Sequence, residues 1–206
     1  MLPATLTAPK ALVPVMGVPL LEMALGRLAA VGLPQLFVNA CCHAEQVSAA
    51  AREIGERLGV PVVVSRESAL LGTGGGLRHA LRHEAEVRQV LVTNADVVLD
   101  VDLRAVLAAF VEWDADALLV LVPRRGPLTV GCGADGLISD FRMAPGTGEF
   151  TFSGVHLFKA DLLHYLPATP CCSIVEAYEQ ALLAGRRVLG MSSGDAYWSD
   201  LGTTER

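Results

Sequence analysis

Apolar positions in this chain recur with two periods that take turns along the sequence. Leu21, Leu25 and Leu28 stand at helical spacing, with Pro19 at a first turn that tolerates proline and with Gly32 and Pro34 stopping the run. The apolar segment QLFVNA follows as a strand. HAEQVSAAAREIGERLG then predicts a second helix closed by Gly59, and the β-branched run VPVVVS predicts a second strand. Next come LLGTGGGLRHALRH, a glycine loop opening a helix; VRQVLVTNADVVLD, a strand with a carboxylate at its exit; and DLRAVLAAFVEW, another helix. This alternation predicts an α/β fold: a Rossmann-like, mostly parallel sheet flanked by helices on both faces.

The second half has a different rhythm. DALLVLVP, LTVGCG and GLISDF are short β-rich pieces separated by proline and glycine, followed by GEFTFSGVHLF, the helix SIVEAYEQALLAG, RRVLGM and AYWSD. They predict a smaller, more antiparallel layer added to the α/β core. No repeat, low-complexity tract or linker divides the chain, so one domain over residues 1–206 is expected.

Composition narrows the function classes. With 52% hydrophobic and 18% charged residues the chain is in the folded, globular range. Apolar runs such as ALLVLV fall well short of the roughly 20 residues of a membrane span, and no charged-then-apolar leader opens the chain, so a cytoplasmic protein is expected. Net charge is −6 and the basic residues are scattered, which argues against a nucleic-acid backbone as partner. The five cysteines contain no C-x-x-C and are expected to be reduced, buried and packed as small apolar side chains.

Ligands of open parallel sheets bind beyond the carboxyl ends of the strands, which gives weight to Asp96 after VLVTNA and Asp200 after AYWS. On neighbouring strands the two carboxylates would share a hard cation such as Mg²⁺; otherwise Asp96 caps a turn and Asp200 lies on a solvated loop. Gly72, Gly74, Gly75 and Gly76 crowd a helix N-terminus, where free N–H groups favour anions and a bare backbone can lie against a planar base. The dinucleotide pattern G-x-G-x-x-G fails at Leu77, and no lysine follows to make a Walker loop. Lys10 is one of only two lysines; it is either a solvated surface group or an ammonium placed to neutralise phosphate oxygens. His79 and His83 stand four apart without the Glu of a zinc helix and are expected on a wet helical face.

Five segments in order, MLPATLTAPKALVPVMGVPLLE, LLGTGGGL, VTNADVVLDVDL, FTFSGVHLF and YWSDLGTTER, resemble the sugar-1-phosphate nucleotidyltransferase family over nearly the whole chain. The resemblance implies an NTP and a sugar 1-phosphate as substrates, giving an NDP-sugar and pyrophosphate without a covalent intermediate. It leans towards GTP with mannose 1-phosphate, a uridylyltransferase being close behind. It implies that Asp96 and Asp200 bind Mg²⁺, that Lys10 sits on the phosphates, and that Gly72, Thr73, Gly74 and Gly75 read the base. Gly154 would lie beside the sugar, and Arg142 would stand in for the lysine of the family's E-K-P. It also implies that the chain opens inside the signature G-x-G-T-R-(L/M)-x-P-x-T, without the first strand and its glycine turn, and stops early after GTTER. A rival reading is a non-catalytic, regulatory sugar-nucleotide binder; a homo-oligomer is left open.

Overall fold

The structure is a computed structural model that describes residues 9–202. The opening MLPATLTA and the closing TTER, on which part of the resemblance rests, lie outside the described residues. After a 3-10 turn at Lys10–Leu12, strands β1 (Pro14–Val15) and β2 (Val18–Pro19) form a tight hairpin through Met16 and Gly17, both at positive φ. Helix α1 (Leu20–Ala29) starts directly behind it. Pro19 is its N-cap, with extended backbone, rather than a member of its first turn, because the same residue closes the hairpin. Leu21, Leu25 and Leu28 form the buried stripe that their spacing predicts.

β3 (Leu36–Ala40), α2 (Ala44–Leu58), β4 (Val62–Arg66), α3 (Gly72–Leu81), β5 (Gln89–Thr93) and β6 (Val97–Leu99) follow. Gly59 ends α2 in the left-handed conformation, as expected of a helix-closing glycine. Helix α4 (Leu103–Glu112) is capped by Asp102, whose carboxylate accepts from Arg104 N at 2.8 Å. The chain continues through β7 (Ala117–Pro123), β8 (Gly131–Cys132), β9 (Ile138–Asp140), β10 (Phe150–Lys159), α5 (Ile174–Leu183), β11 (Val188–Ser192) and β12 (Trp198–Asp200). A reciprocal capping box between Ser173 and Glu176 opens α5.

Two parallel pairs, β3 with β4 and β11 with β7, carry the α/β character. β10, however, lies between β5 and β7 and runs antiparallel to both, giving a four-stranded order β11-β7-β10-β5. The FTFSGVHLF segment is therefore the middle of the main sheet. The expected small antiparallel layer is supplied by β8 with β9 and by β6 with β12. The single strand expected over VRQVLVTNADVVLD is two, β5 and β6, with Asp96 in the turn between them.

β7 shows why its sequence is an unbroken apolar run. Leu118 and Val120 join Leu157 in a core under α1, α2 and α4, while Leu119 and Leu121 join Phe158 in a second core under α5. A strand covered on both faces has no place for a polar residue. The cysteine expectation needs correction: only Cys172 is buried, Cys41 and Cys132 are half-buried, and Cys42 and Cys171 are exposed, since in each adjacent pair one side chain faces outward; all five are free thiols. His79 is half-buried rather than wet, its Nδ1 3.0 Å from Ser65 Oγ. Among the described residues no helix is long and apolar enough to cross a membrane.

Candidate active site

The carboxyl ends of β3 and β5 and the Phe152–His156 stretch of the antiparallel β10 open into one cleft of about 830 Å³. β5 delivers Asn94 and then Asp96 to its mouth. β12 pairs with β6 so that Asp200 faces Val97, and Leu201 N donates to Asp96 O at 2.8 Å. Two acids far apart in sequence thus occupy adjoining backbone positions, the neighbouring-strand arrangement that the sequence leaves as a condition. Lys10 Nζ donates to Asp96 Oδ2, both side chains being about a third exposed (35% and 28%). Gly202 N donates to Asp200 Oδ1 at 2.7 Å. A Cβ on Gly202 would lie 2.6 Å from Asp200 Oδ1 and 3.2 Å from Lys10 Nζ, so the ammonium and the second carboxylate border the same small space.

The glycine helix forms the next wall, and here the expectation changes. Gly72, at φ +70°, and Thr73 line the cleft, with Thr73 Oγ1 accepting from Ile174 N at 3.0 Å. Gly74 N and Gly75 N are not open to an anion, because both donate to Cys172 O, at 2.9 and 3.3 Å. A Cβ at Gly75 would sit 2.1 Å from Pro170 O, and one at Gly74 2.6 Å from a Leu166 methyl. These two glycines, together with Gly76 against the Asn39 amide, let α3 lie flush on its neighbours. Neither Gly74 nor Gly75 lines the cleft.

Opposite them, β10 shifts register between Phe152 and His156, which places Gly154 at φ +85° with its carbonyl 3.2 Å from Asn94 N. A Cβ there would stand 2.6 Å from Asn94 Nδ2, so the position excludes larger residues. Trp198 Nε1 donates to the neighbouring Ser153 O at 3.4 Å and ties β12 to this bulge. Just inside, His156 is 3% exposed, and its Nδ1 lies 2.5 Å from Tyr178 OH. Burial holds the imidazole down to about 3 and pushes the phenol up, so at neutral pH both are uncharged. Arg142 is elsewhere: it makes a two-pronged bond to Glu179 on α5, at 2.6 and 2.8 Å, and does not line the cleft.

The arrangement offers two carboxylates and one ammonium at the cleft mouth, and among the described residues no cluster of three or more His, Cys, Asp or Glu. An all-oxygen pair of this kind fits Mg²⁺, which takes one or two protein carboxylates and keeps its other positions for water and phosphate. Sequence reasoning missed Asn94, although it stands two residues before Asp96 in the same polar exit, TNAD. Asn39 and Trp198 carried no signal of their own; only the packing brings them to the cleft.

The MobA-like NTP transferase domain family matches residues 5–189. A mannose-1-phosphate guanylyltransferase of Mycobacterium tuberculosis is 30% identical over 213 residues, which span 98% of this chain but 58% of that protein. An N-acetylmuramate alpha-1-phosphate uridylyltransferase of Caulobacter vibrioides is 33% identical over 215 residues, spanning 98% of this chain and 86% of that one. In fold, the inositol-1-phosphate CTP transferase of T. maritima matches 96% of the chain with a TM-score of 0.81 at 16% identity, and the match covers 82% of that structure. An apo UDP-glucose pyrophosphorylase matches all of it at 0.79 and 12%, over 89% of its own length. With the family covering most of its length and a near-full-length relative sharing a third of its residues, this chain belongs to the MobA-like NTP transferase domain family.

Proposed function

We propose that this protein transfers a nucleotidyl group from an NTP to a sugar 1-phosphate, with GTP and mannose 1-phosphate as the first pair to test and a uridylyl transfer second. A phosphate oxygen of the sugar phosphate attacks the α-phosphorus in line. The α–β phosphoanhydride bond breaks, and its electron pair leaves on pyrophosphate. No side-chain nucleophile is needed, so the work is positioning and charge stabilisation. Gly72, Thr73 and Gly154 line the cleft, and in this reading Gly72 and Thr73 would face the base and Gly154 the sugar. Asp96 and Asp200 would hold Mg²⁺, which supplies charge neutralisation at the phosphate oxygens when bound. Lys10 would move from the Asp96 carboxylate to the phosphates as they arrive. A cytoplasmic setting, where NTPs are available, fits this reading.

The meeting of Lys10, Asp96 and Asp200 at one mouth is the observation that carries the reading. Pyrophosphate release, measured across NTP and sugar 1-phosphate pairs with Mg²⁺, tests it. Asp96→Asn and Asp200→Asn are each expected to lower kcat by on the order of 100-fold or more, the scale of losing one charge-stabilising group. Wild-type rates in either variant, or no reactive pair at all, would refute it. Tight binding of an NDP-sugar without turnover would favour the regulatory reading.

A further inference from the structure

A sugar 1-phosphate is an anion that must come up to a triphosphate of the same sign, so its approach is opposed unless a cation meets it. Two carboxylates and one ammonium leave the mouth of the cleft short of positive charge, and the ammonium of Lys10 is already shared with Asp96. Arg142, expected to meet the sugar phosphate, is bonded to Glu179. Nearly every other basic side chain is spent in a similar way. Among the described residues only the guanidinium groups of Arg52 and Arg125 have no hydrogen-bond or ion-pair partner. Arg52 is exposed on α2, away from the buried stripe of Val47, Ala51 and Ile54. Arg125 follows the carboxyl end of β7, next to Arg124, which is paired with Asp195.

That end of β7 belongs to the rim of the site. β5 and β7 both run antiparallel to β10, so they are parallel to each other and their carboxyl ends lie on one side of the sheet. Two strand spacings separate them, roughly 10 Å, and Gly154 is on the strand between. The loop behind β7 is fastened in place. Thr151 Oγ1, on β10, donates to Arg125 O at 2.7 Å and accepts from Leu128 N at 2.9 Å. A Cβ on Gly126, at φ +77°, would stand 3.0 Å from Trp198 Cη2, and Trp198 lines the cleft two residues before Asp200. Arg125 is thus held by its backbone one residue from the cleft wall, while its side chain borders a hollow of about 70 Å³ with Gly194 and Asp195. We propose that Arg125 binds the acceptor substrate: its guanidinium turns from this hollow across the edge of Trp198 and takes the phosphate of the sugar 1-phosphate. The planar fork of an arginine matches two phosphate oxygens at once, which fixes the third for attack in line. This inference rests on the nucleotidyl-transfer reading and gives Arg125 the task that Arg142, committed to Glu179, leaves open.

Two measurements on the 206-residue chain test it. Pyrophosphate release with each substrate varied in turn separates the KM of the sugar 1-phosphate from that of the NTP. Calorimetry with mannose 1-phosphate, titrated into protein with Mg²⁺ and a non-hydrolysable GTP analogue, reads acceptor binding without turnover. Arg125→Gln should raise the acceptor KM and Kd by about tenfold or more, the scale of losing a charge-assisted pair, and leave the NTP KM within about twofold. Arg125→Lys should fall between the two, because an ammonium keeps the charge and loses the fork. Arg52→Gln should match wild type. An exposed guanidinium without a partner adds little to folding, so Arg125→Gln should melt within about 2 °C of wild type. An acceptor KM and Kd within twofold of wild type in Arg125→Gln would overturn the proposal. So would a rise in the NTP KM alone or in both KM values equally, since the first places the arginine on the triphosphate and the second on neither substrate in particular. If no pair turns over, the proposed activity fails and calorimetry decides this inference separately. Binding to wild type that weakens about tenfold in Arg125→Gln upholds it, and equal binding, or none to wild type, refutes it.

Discussion

Gly26 and Gly75 both lie inside ten-residue helices, α1 and α3, and the same substitution at each should act with opposite sign. At Gly26 a new Cβ meets nothing within 4 Å, so Gly26→Ala should only reduce the freedom of the unfolded chain and improve helix propensity, stabilising by about 0.5–1 kcal/mol. At Gly75 the Cβ would lie 2.1 Å from Pro170 O, a backbone atom that cannot rotate away. α3 must then move off the 170–173 segment and stretch the bonds from Gly74 N and Gly75 N to Cys172 O. Overpacking of this kind costs about 1–3 kcal/mol, which exceeds the propensity gain. For a chain of this size, where about 1 kcal/mol moves Tm by 2–4 °C, Gly75→Ala should melt several degrees below wild type and Gly26→Ala about 1–4 °C above it. Thermal and urea unfolding read both. Because Gly72 and Thr73 of α3 line the cleft, Gly75→Ala should also raise the KM for the nucleotide. A neutral or stabilising Gly75→Ala, or equal losses at both sites, would refute the claim that these glycines exist for close packing.

His156, held down to about 3 by burial against an ordinary 6.5, stays neutral in the native state while the unfolded chain takes up a proton. Stability should therefore fall as pH drops from about 6.5 towards 3, by up to about 1.4 kcal/mol per pH unit from this group. Urea unfolding at several pH values should show a shallower slope in His156→Gln, and an unchanged slope would contradict the assignment. Asp116 accepts from Arg186 at 2.9 Å, from the backbone Arg187 N at 2.9 Å and from Lys159 at 3.0 Å, and these hydrogen bonds, that of the Arg186 guanidinium foremost, hold its carboxyl well below the usual range. Asp116→Ala leaves the two side-chain cations without this carboxylate where β7, β10 and β11 meet, and should cost about 2–3 kcal/mol in urea unfolding. Arg142→Gln should leave the KM for the sugar 1-phosphate within about twofold, because the guanidinium is committed to Glu179. A tenfold rise would show that it swings into the cleft.

Asp96 and Asp200 could be picked out in the sequence because each stands at the polar exit of an apolar run, although β5 and β12 are only half-buried in the structure. The glycine cluster was legible as a helix start but not in its purpose. The letters that permit an anion cradle also permit a helix to lie against backbone, and Gly74, Gly75 and Gly76 do the latter. Arg142 lost its expected place for a similar reason: Glu179, its partner, comes from a helix that no local pattern connects to it.

What the sequence by itself determined was local: which stretches are helices and strands, which faces are apolar, and which polar residues stand at strand ends. Periodicity records burial, and burial is decided residue by residue. Only the tertiary structure decided partners. It reversed β10 in the middle of the sheet and set Asp200 beside Asp96 through the β6–β12 ladder. Backbone hydrogen bonds are the same for every residue, so which strand lies beside which follows from how all the side chains pack together, and no short stretch of sequence contains that choice.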